Sequence, residues 1–235
     1  PAQAAPEFYL VTYGPGAQAW ERFGHNAIWL RDQETGEEAM YNYGFFDFEQ
    51  KGFFKNFLLG RMLYYSAATD PARELPYYQR YNRSVEYQAL QLSAAQSERL
   101  AQFLRHSVEP EQREYLYDYF ADNCSTRVRD AWDYALAGGL GTDSETIELG
   151  TSLRLSALRM VQDDFWLYLG RQLGLGRNTD RPINLWQGFY LPYVLKDALN
   201  NGDLQVAALV GPTQVWSAGL AVPTEFRVCL LYTSD

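Results

Sequence analysis

Two hydrophobic periods run along the chain. Near the amino terminus the apolar positions favour strands. FYLVTYG ends at the Gly14-Pro15-Gly16 turn, GHNAIWLRD alternates, and GEEAMYNYG follows a polar turn containing Gly36. In the alternating segment His25, Ala27 and Trp29 share one face, and Asn26, Ile28 and Leu30 the other. A helical period then takes over and predicts helices around residues 48–59, 71–81, 94–105, 111–120, from Cys124 onward, and over 186–199. Ser93 and Gln96 form a capping box ahead of the stripe Leu100, Phe103 and Leu104. A strand near residues 84–92 interrupts the helices, with Val85, Tyr87, Ala89 and Gln91 on one face. The pattern is that of an α+β fold: a small antiparallel sheet packed against several helices, with a helix-rich C-terminal half.

Composition narrows the class. With 235 residues, of which 47% are hydrophobic, the chain can bury one sizeable core, and no linker, repeat or low-complexity stretch divides it. A net charge of -9 argues against nucleic acid as a partner and against electrostatic adhesion to anionic lipid headgroups. No apolar run reaches membrane-spanning length: Lys55 and Arg61 interrupt FFKNFLLGRMLYY, and Pro212 breaks the stretch from Val206 to Val222. Residues 1–7 begin with PAQAAP, which reads as the small-residue stub around a removed signal peptide. VCLLYTSD, residues 228–235, reads as a translated sequencing adaptor. The native domain is therefore expected over 1–227, with any membrane association supplied by a C-terminal region beyond it. On that reading Cys229 is foreign, and a disulfide between Cys124 and Cys229 is not expected.

The candidate chemistry lies in two short segments. Asp122-Asn123-Cys124-Ser125-Thr126-Arg127 precedes the apolar stripe Val128, Ala131, Trp132 and Ala135, so Asn123 or Asp122 is the expected N-cap and Cys124 falls in the first helical turn. Free backbone N–H groups and the helix dipole favour a negative sulfur there, and a neighbouring histidine would favour it further. A second reading makes Cys124 a small buried hydrophobe, since it continues the same stripe. His25 opens a strand directly after Gly24. His106, the other histidine, belongs at a solvated helix end.

Taken in order, FGHNAIWL, YNYGFFDF, FLLGRMLYYSA, YNRSVEYQALQLSAAQ, YDYFADNCSTRVRD and DRPINLWQGFYLPYVL resemble successive blocks of the Lnb N-terminal periplasmic domain family, from about Phe8 to Leu199. The resemblance implies a bacterial, periplasmic protein. It also implies a fold similar to circularly permuted NlpC/P60 papain-like proteins, with the histidine before the cysteine. Lipoprotein N-acyl transfer is the activity implied by the members that give the family its name. The family's histidine block matches at His25 and its Asn-Cys block at Asn123 and Cys124. A papain-like site needs a third polar group to orient the imidazole, and Asn42 is the candidate on the next strand. Asn42 reads equally well as the start of a turn at Gly44, and Asp47 is the alternative orienting group. Arg154 matches a family arginine, and either binds a substrate anion or pairs a buried carboxylate.

The expected activity is cysteine-dependent acyl transfer. Cys124 attacks an ester or amide carbonyl, His25 moves the proton, and helix N-terminal groups at Asn123 and Ser125 stabilise the oxyanion. By resemblance the donor is a lipid ester and the acceptor a lipoprotein amino terminus; with water as acceptor the site is a hydrolase. Two alternatives stand beside it: a cell-wall peptidase or amidase of NlpC/P60 type, and a non-catalytic binding domain. No cofactor or metal is expected. GLGRN is a lone Gly-x-Gly without a preceding strand, two histidines without a Cys-x-x-Cys pair do not suggest zinc, and Glu111 and Glu114 read as a solvated helix face.

Overall fold

A computed structural model describes residues 5–47, 61–202 and 204–223. The helix expected around residues 48–59, the first four residues and the 228–235 tail with Cys229 lie outside them. In chain order the elements are β1 (Glu7–Tyr13), β2 (His25–Arg31), β3 (Glu38–Phe46), β4 (Leu63–Thr69), α1 (Pro71–Arg80), β5 (Val85–Leu90), α2 (Ala94–Ser107), β6 (Glu114–Leu116) and α3 (Cys124–Ala135). There follow α4 (Gly139–Ser144), β7 (Glu148–Ser152), α5 (Leu153–Arg159), α6 (Phe165–Gly174), β8 (Pro182–Asn184), α7 (Leu185–Gly188), α8 (Pro192–Asn200) and β9 (Gln214–Ser217).

Seven strands form one antiparallel sheet in the order β6-β4-β3-β2-β1-β5-β9. The alternation of β2 sorts its side chains as its sequence requires. Ile28 and Leu30 face the main core, where α2, α3 and α8 contribute Leu100, Leu104, Val128, Trp132 and Leu195. Ala27 and Trp29 face a smaller core with Val11, Tyr13, Met40, Val85 and Leu75 of α1. Strands covered on both faces carry apolar residues at nearly every position, which is why β1 reads as a run and not as an alternation.

Three expectations need correction. The helix expected over 111–120 is β6 with turns on either side, because only Tyr115 there is buried and the free edge of β4 takes the segment as a strand. Glu111 and Glu114 are exposed, but not on a helix. The helix expected over 186–199 is divided between α7 and α8 at Pro192, whose ring cannot continue a preceding helix. The sheet also exceeds the four strands legible in the sequence. β4, inside an apolar run, and the short β6 and β9 are specified by pairing with neighbours more than by their own periodicity.

Helix α3 is docked by a fully bonded polar junction. The Asn123 side chain caps the helix, accepting from Ser125 N and Thr126 N at 2.9 Å each, and its Nδ2 donates to Tyr119 O and Tyr190 O, also at 2.9 Å. Ser125 Oγ lies 2.8 Å from Asn26 Oδ1 and 2.6 Å from Phe189 O. Asn26 Nδ2 in turn donates to Thr12 Oγ1 and Val11 O. Asn123, Ser125 and Asn26 are all buried. Removal of one member leaves desolvated partners unpaired. Asn123→Ala should therefore cost about 2–4 kcal/mol in chemical denaturation, against about 1 kcal/mol for Ser93→Ala at the exposed cap of α2. Equal losses would mean that the ties to Tyr119 and Tyr190 contribute nothing.

Candidate active site

Cys124 is the first residue of α3, and Asn123 is its N-cap. The sulfur faces the backbone N–H groups of Asn26, Ser125 and Cys124 itself. His25 is the residue immediately before Asn26, so the junction that docks α3 on β2 also brings the two candidate catalytic segments together. Both side chains are half-buried and line one cavity. Two glycines make the approach feasible. Gly24 has φ +76°, and a Cβ on it would stand 2.7 Å from Tyr13 O; Gly44, at φ +100°, lies against Cys124 where β3 bulges.

Asn42 is not at a turn. It pairs with Ala27 within the sheet, which puts it on the His25 face as a diagonal neighbour. His25 Nε2 and Asn42 Oδ1 are 2.8 Å apart. The orientation of the amide is dictated from behind: Asn42 Nδ2 donates to Glu74 Oε2 at 2.7 Å and to Thr69 Oγ1 at 3.0 Å. A reversed amide would set its oxygen against the Glu74 carboxylate. Oδ1 therefore accepts from Nε2–H, and the imidazole lone pair resides on Nδ1. The ring itself stacks on Tyr13, with centroids 5.6 Å apart.

Glu74, on the first turn of α1, escaped sequence reasoning. It accepts from the hydroxyls of Tyr13 and Thr69 as well as from Asn42. Burial raises its pKa, and these three hydrogen bonds oppose the rise. The one local signal was an acidic residue beside Leu75, which reads equally as a response to the helix dipole. Arg83 was also missed. It is buried, its Nε donates to Gly14 O at 2.9 Å, its Nη1 lies 3.6 Å from Glu21 Oε1, and its guanidinium covers the Tyr78 ring.

Electrostatics depart from the expectation of an acidic thiol. Burial pushes the Cys124 thiol above its ordinary range, outweighing the backbone N–H groups and the Arg83 charge that pull it down. Burial also lowers His25 to about 4, against the Asn42 hydrogen bond and with help from Arg83. At neutral pH the resting pair is thus thiol and neutral imidazole. The ion pair would form only as the thiol proton moves.

The cavity encloses about 760 Å³. Among the described residues, eleven Phe, Tyr and Trp side chains line it together with His25, Asn42, Asn123 and Cys124. The other candidates lie elsewhere. The Ser125 hydroxyl is consumed in the docking junction, and its N–H is held by the cap. Arg154 pairs with Asp180 at 2.5 Å and donates to the carbonyls of Gln172, Leu175 and Gly176, so it fastens the end of α6 and does not line the cavity. The paired carboxylate is exposed, not buried. Asp47 is exposed beyond the end of β3, and His106 is exposed beside Glu109.

Two measurements check this electrostatic picture. The rate of Cys124 alkylation by iodoacetamide should rise once with pH, at or above the ordinary thiol range, with no acidic plateau between pH 4 and 7; such a plateau would reveal a resting thiolate-imidazolium pair. Between about pH 6.5 and 4 the unfolded chain protonates His25 while the folded one does not. Its stabilising contribution is therefore complete above pH 6.5 and is lost as the pH falls toward 4. His25→Gln should flatten that limb of the stability profile, and an unchanged slope would contradict the assigned shift.

The pattern of the Lnb N-terminal periplasmic domain matches residues 3–160, the span that carries His25, Asn42, Glu74, Arg83 and Cys124. No curated protein and no solved structure matches the chain. With two thirds of its length matched, and with the histidine and Asn-Cys blocks meeting at one cavity, the chain belongs to the Lnb N-terminal periplasmic domain family, a family of extracytoplasmic domains.

Proposed function

We propose that this protein is a cysteine-dependent acyl-transfer enzyme acting on lipid or lipoprotein acyl groups in the periplasm. The observation that carries the reading is the Glu74-Asn42-His25 hydrogen-bonded chain, which leaves the lone pair on Nδ1 of an imidazole that lines the same cavity as Cys124. An oriented base beside a thiol at a helix start is the arrangement nucleophilic catalysis requires. The order of histidine strand before cysteine helix suits a permuted papain-like core.

The reaction would run in two halves. As the sulfur attacks an ester carbonyl, His25 Nδ1 takes the thiol proton, and Asn42 keeps the resulting imidazolium in place. Negative charge moves to the carbonyl oxygen, for which the backbone N–H groups of Cys124 and Asn26 are the available donors, those of Ser125 and Thr126 being held by the Asn123 cap. Collapse of the tetrahedral intermediate expels the alkoxide, which receives the proton from His25, and leaves a thioester on Cys124. An acceptor amine, such as a lipoprotein amino terminus, then attacks the thioester and loses its proton to His25, which returns it to the thiolate. Water in place of the amine gives a hydrolase.

The cavity walls favour an acyl group over a peptide stem. A volume near 760 Å³ lies within the ~300–1,000 Å³ typical of ligand sites, and aromatic rings supply apolar surface at little entropic cost. Incubation with detergent-solubilised phospholipid or diacyl lipopeptide should load an acyl group on Cys124 as a hydroxylamine-sensitive thioester, read by intact-mass analysis. Cys124→Ala and His25→Ala should abolish loading, and Asn42→Ala should slow it by about tenfold to a hundredfold. Cleavage of muropeptides without lipid loading would favour a peptidase or amidase; no adduct or product with either substrate would favour a binding domain.

A further inference from the structure

Helix α6 is amphipathic in the wrong sense for a soluble protein. Phe165, Leu169 and Leu173 recur every fourth residue along one edge, with Trp166 beside them. None of the ten residues is buried, and Phe165, Trp166 and Leu173 are 54%, 76% and 78% exposed. The neighbouring helix α5 adds Leu155, 52% exposed. The inward face carries the cation: the Arg171 guanidinium covers the rings of Phe23 and Tyr119 at 4.4 and 4.7 Å, and both rings line the Cys124 cavity. The start of α6 is pinned as well, by Arg22 to Asp163 at 2.5 Å.

A helix that turns its charge to the protein and its apolar edge to water leaves that edge to be covered by something else. We infer that α6 is a membrane-docking helix, which seats Phe165, Trp166, Leu169 and Leu173 in the headgroup region of an anionic phospholipid bilayer beside the cavity. Three observations favour this occupant. Ten residues are enough for a helix lying in the interface plane, where Trp, Phe and Leu partition well. Charge is complementary locally, against a chain net charge of -9: Arg177 and Arg181 are exposed just beyond the helix, while Arg154 and Arg171 are turned to the protein. A second copy of the chain is a poorer fit, because one face of a helix about 15 Å long falls well short of the roughly 800 Å² per partner that a stable dimer needs.

The inference does not depend on acyl chemistry, so it is tested in Cys124→Ala protein by co-sedimentation with vesicles. Protein should bind vesicles of equal parts phosphatidylglycerol and phosphatidylcholine. Binding should fall by about tenfold or more in Phe165→Ser/Leu173→Ser, and should be unchanged in Leu116→Ser, which alters an exposed leucine on β6. Phosphatidylcholine alone should bind more weakly, and salt should weaken binding to the mixed vesicles. The inference is overturned if the parent protein ignores mixed vesicles, if the double variant binds as the parent does, or if pure phosphatidylcholine binds equally well. Concentration-dependent dimers lost in the double variant, without vesicle binding, would also overturn it and assign the edge to a second copy. Thioester loading of the Cys124-bearing protein is read separately, so vesicle binding and acyl transfer can each fail without the other.

Discussion

The junction of Asn123, Ser125 and Asn26 is the constraint on which the site depends. Its hydrogen-bonding groups are buried and engaged, so the helix start and the histidine strand can meet in essentially one register. A purely apolar contact would tolerate sliding by a residue or by part of a helical turn. The polar junction does not, because any slip leaves a desolvated amide or hydroxyl without a partner. Placement of Cys124 beside the residue after His25 follows from that restriction. The rest of the sheet and the main core act as the frame that keeps water out of the junction.

Behind the histidine a second chain of hydrogen bonds performs a different task. Glu74 sets the direction of the Asn42 amide, and the amide sets which imidazole nitrogen holds the lone pair. Burial disfavours the charged form of both groups, the thiolate of Cys124 and the imidazolium of His25. Arg83 favours a thiolate and disfavours an imidazolium, so it biases the two partners in opposite ways. A neutral resting pair also makes the thiol less prone to adventitious reaction in an oxidising compartment.

The cavity and α6 are joined through Arg171, whose guanidinium rests on two of the cavity's own rings. Movement of the helix would therefore be felt in the cavity wall. The family match ends at residue 160, before α6 begins, so the family pattern accounts for the pair of catalytic candidates and says nothing of the exposed aromatic edge beside them.

Local chemistry was legible from the sequence where short-range rules act. The Ser93 cap, a cap at Asn123 or Asp122, the sorting of β2 side chains between two faces, and the position of Cys124 in a first helical turn each depend on neighbours within about four residues. The two halves of the site were legible as motifs, and Asn42 as a polar residue on the next strand. Glu74, Arg83 and β6 were not, and Arg154 stayed open between two roles, because each is decided by a partner distant in sequence. Glu74 reaches Tyr13 across sixty-one positions, Arg83 reaches Gly14 across sixty-nine, and β6 becomes a strand only because β4 offers an unpaired edge. Periodicity reports which face of an element is apolar, and it predicted β1, β2, β3, β5, α1, α2 and α3 but not β4, α4 or α5. Which polar side chain meets which across the core is set by how the elements stack, and only the tertiary structure decided that.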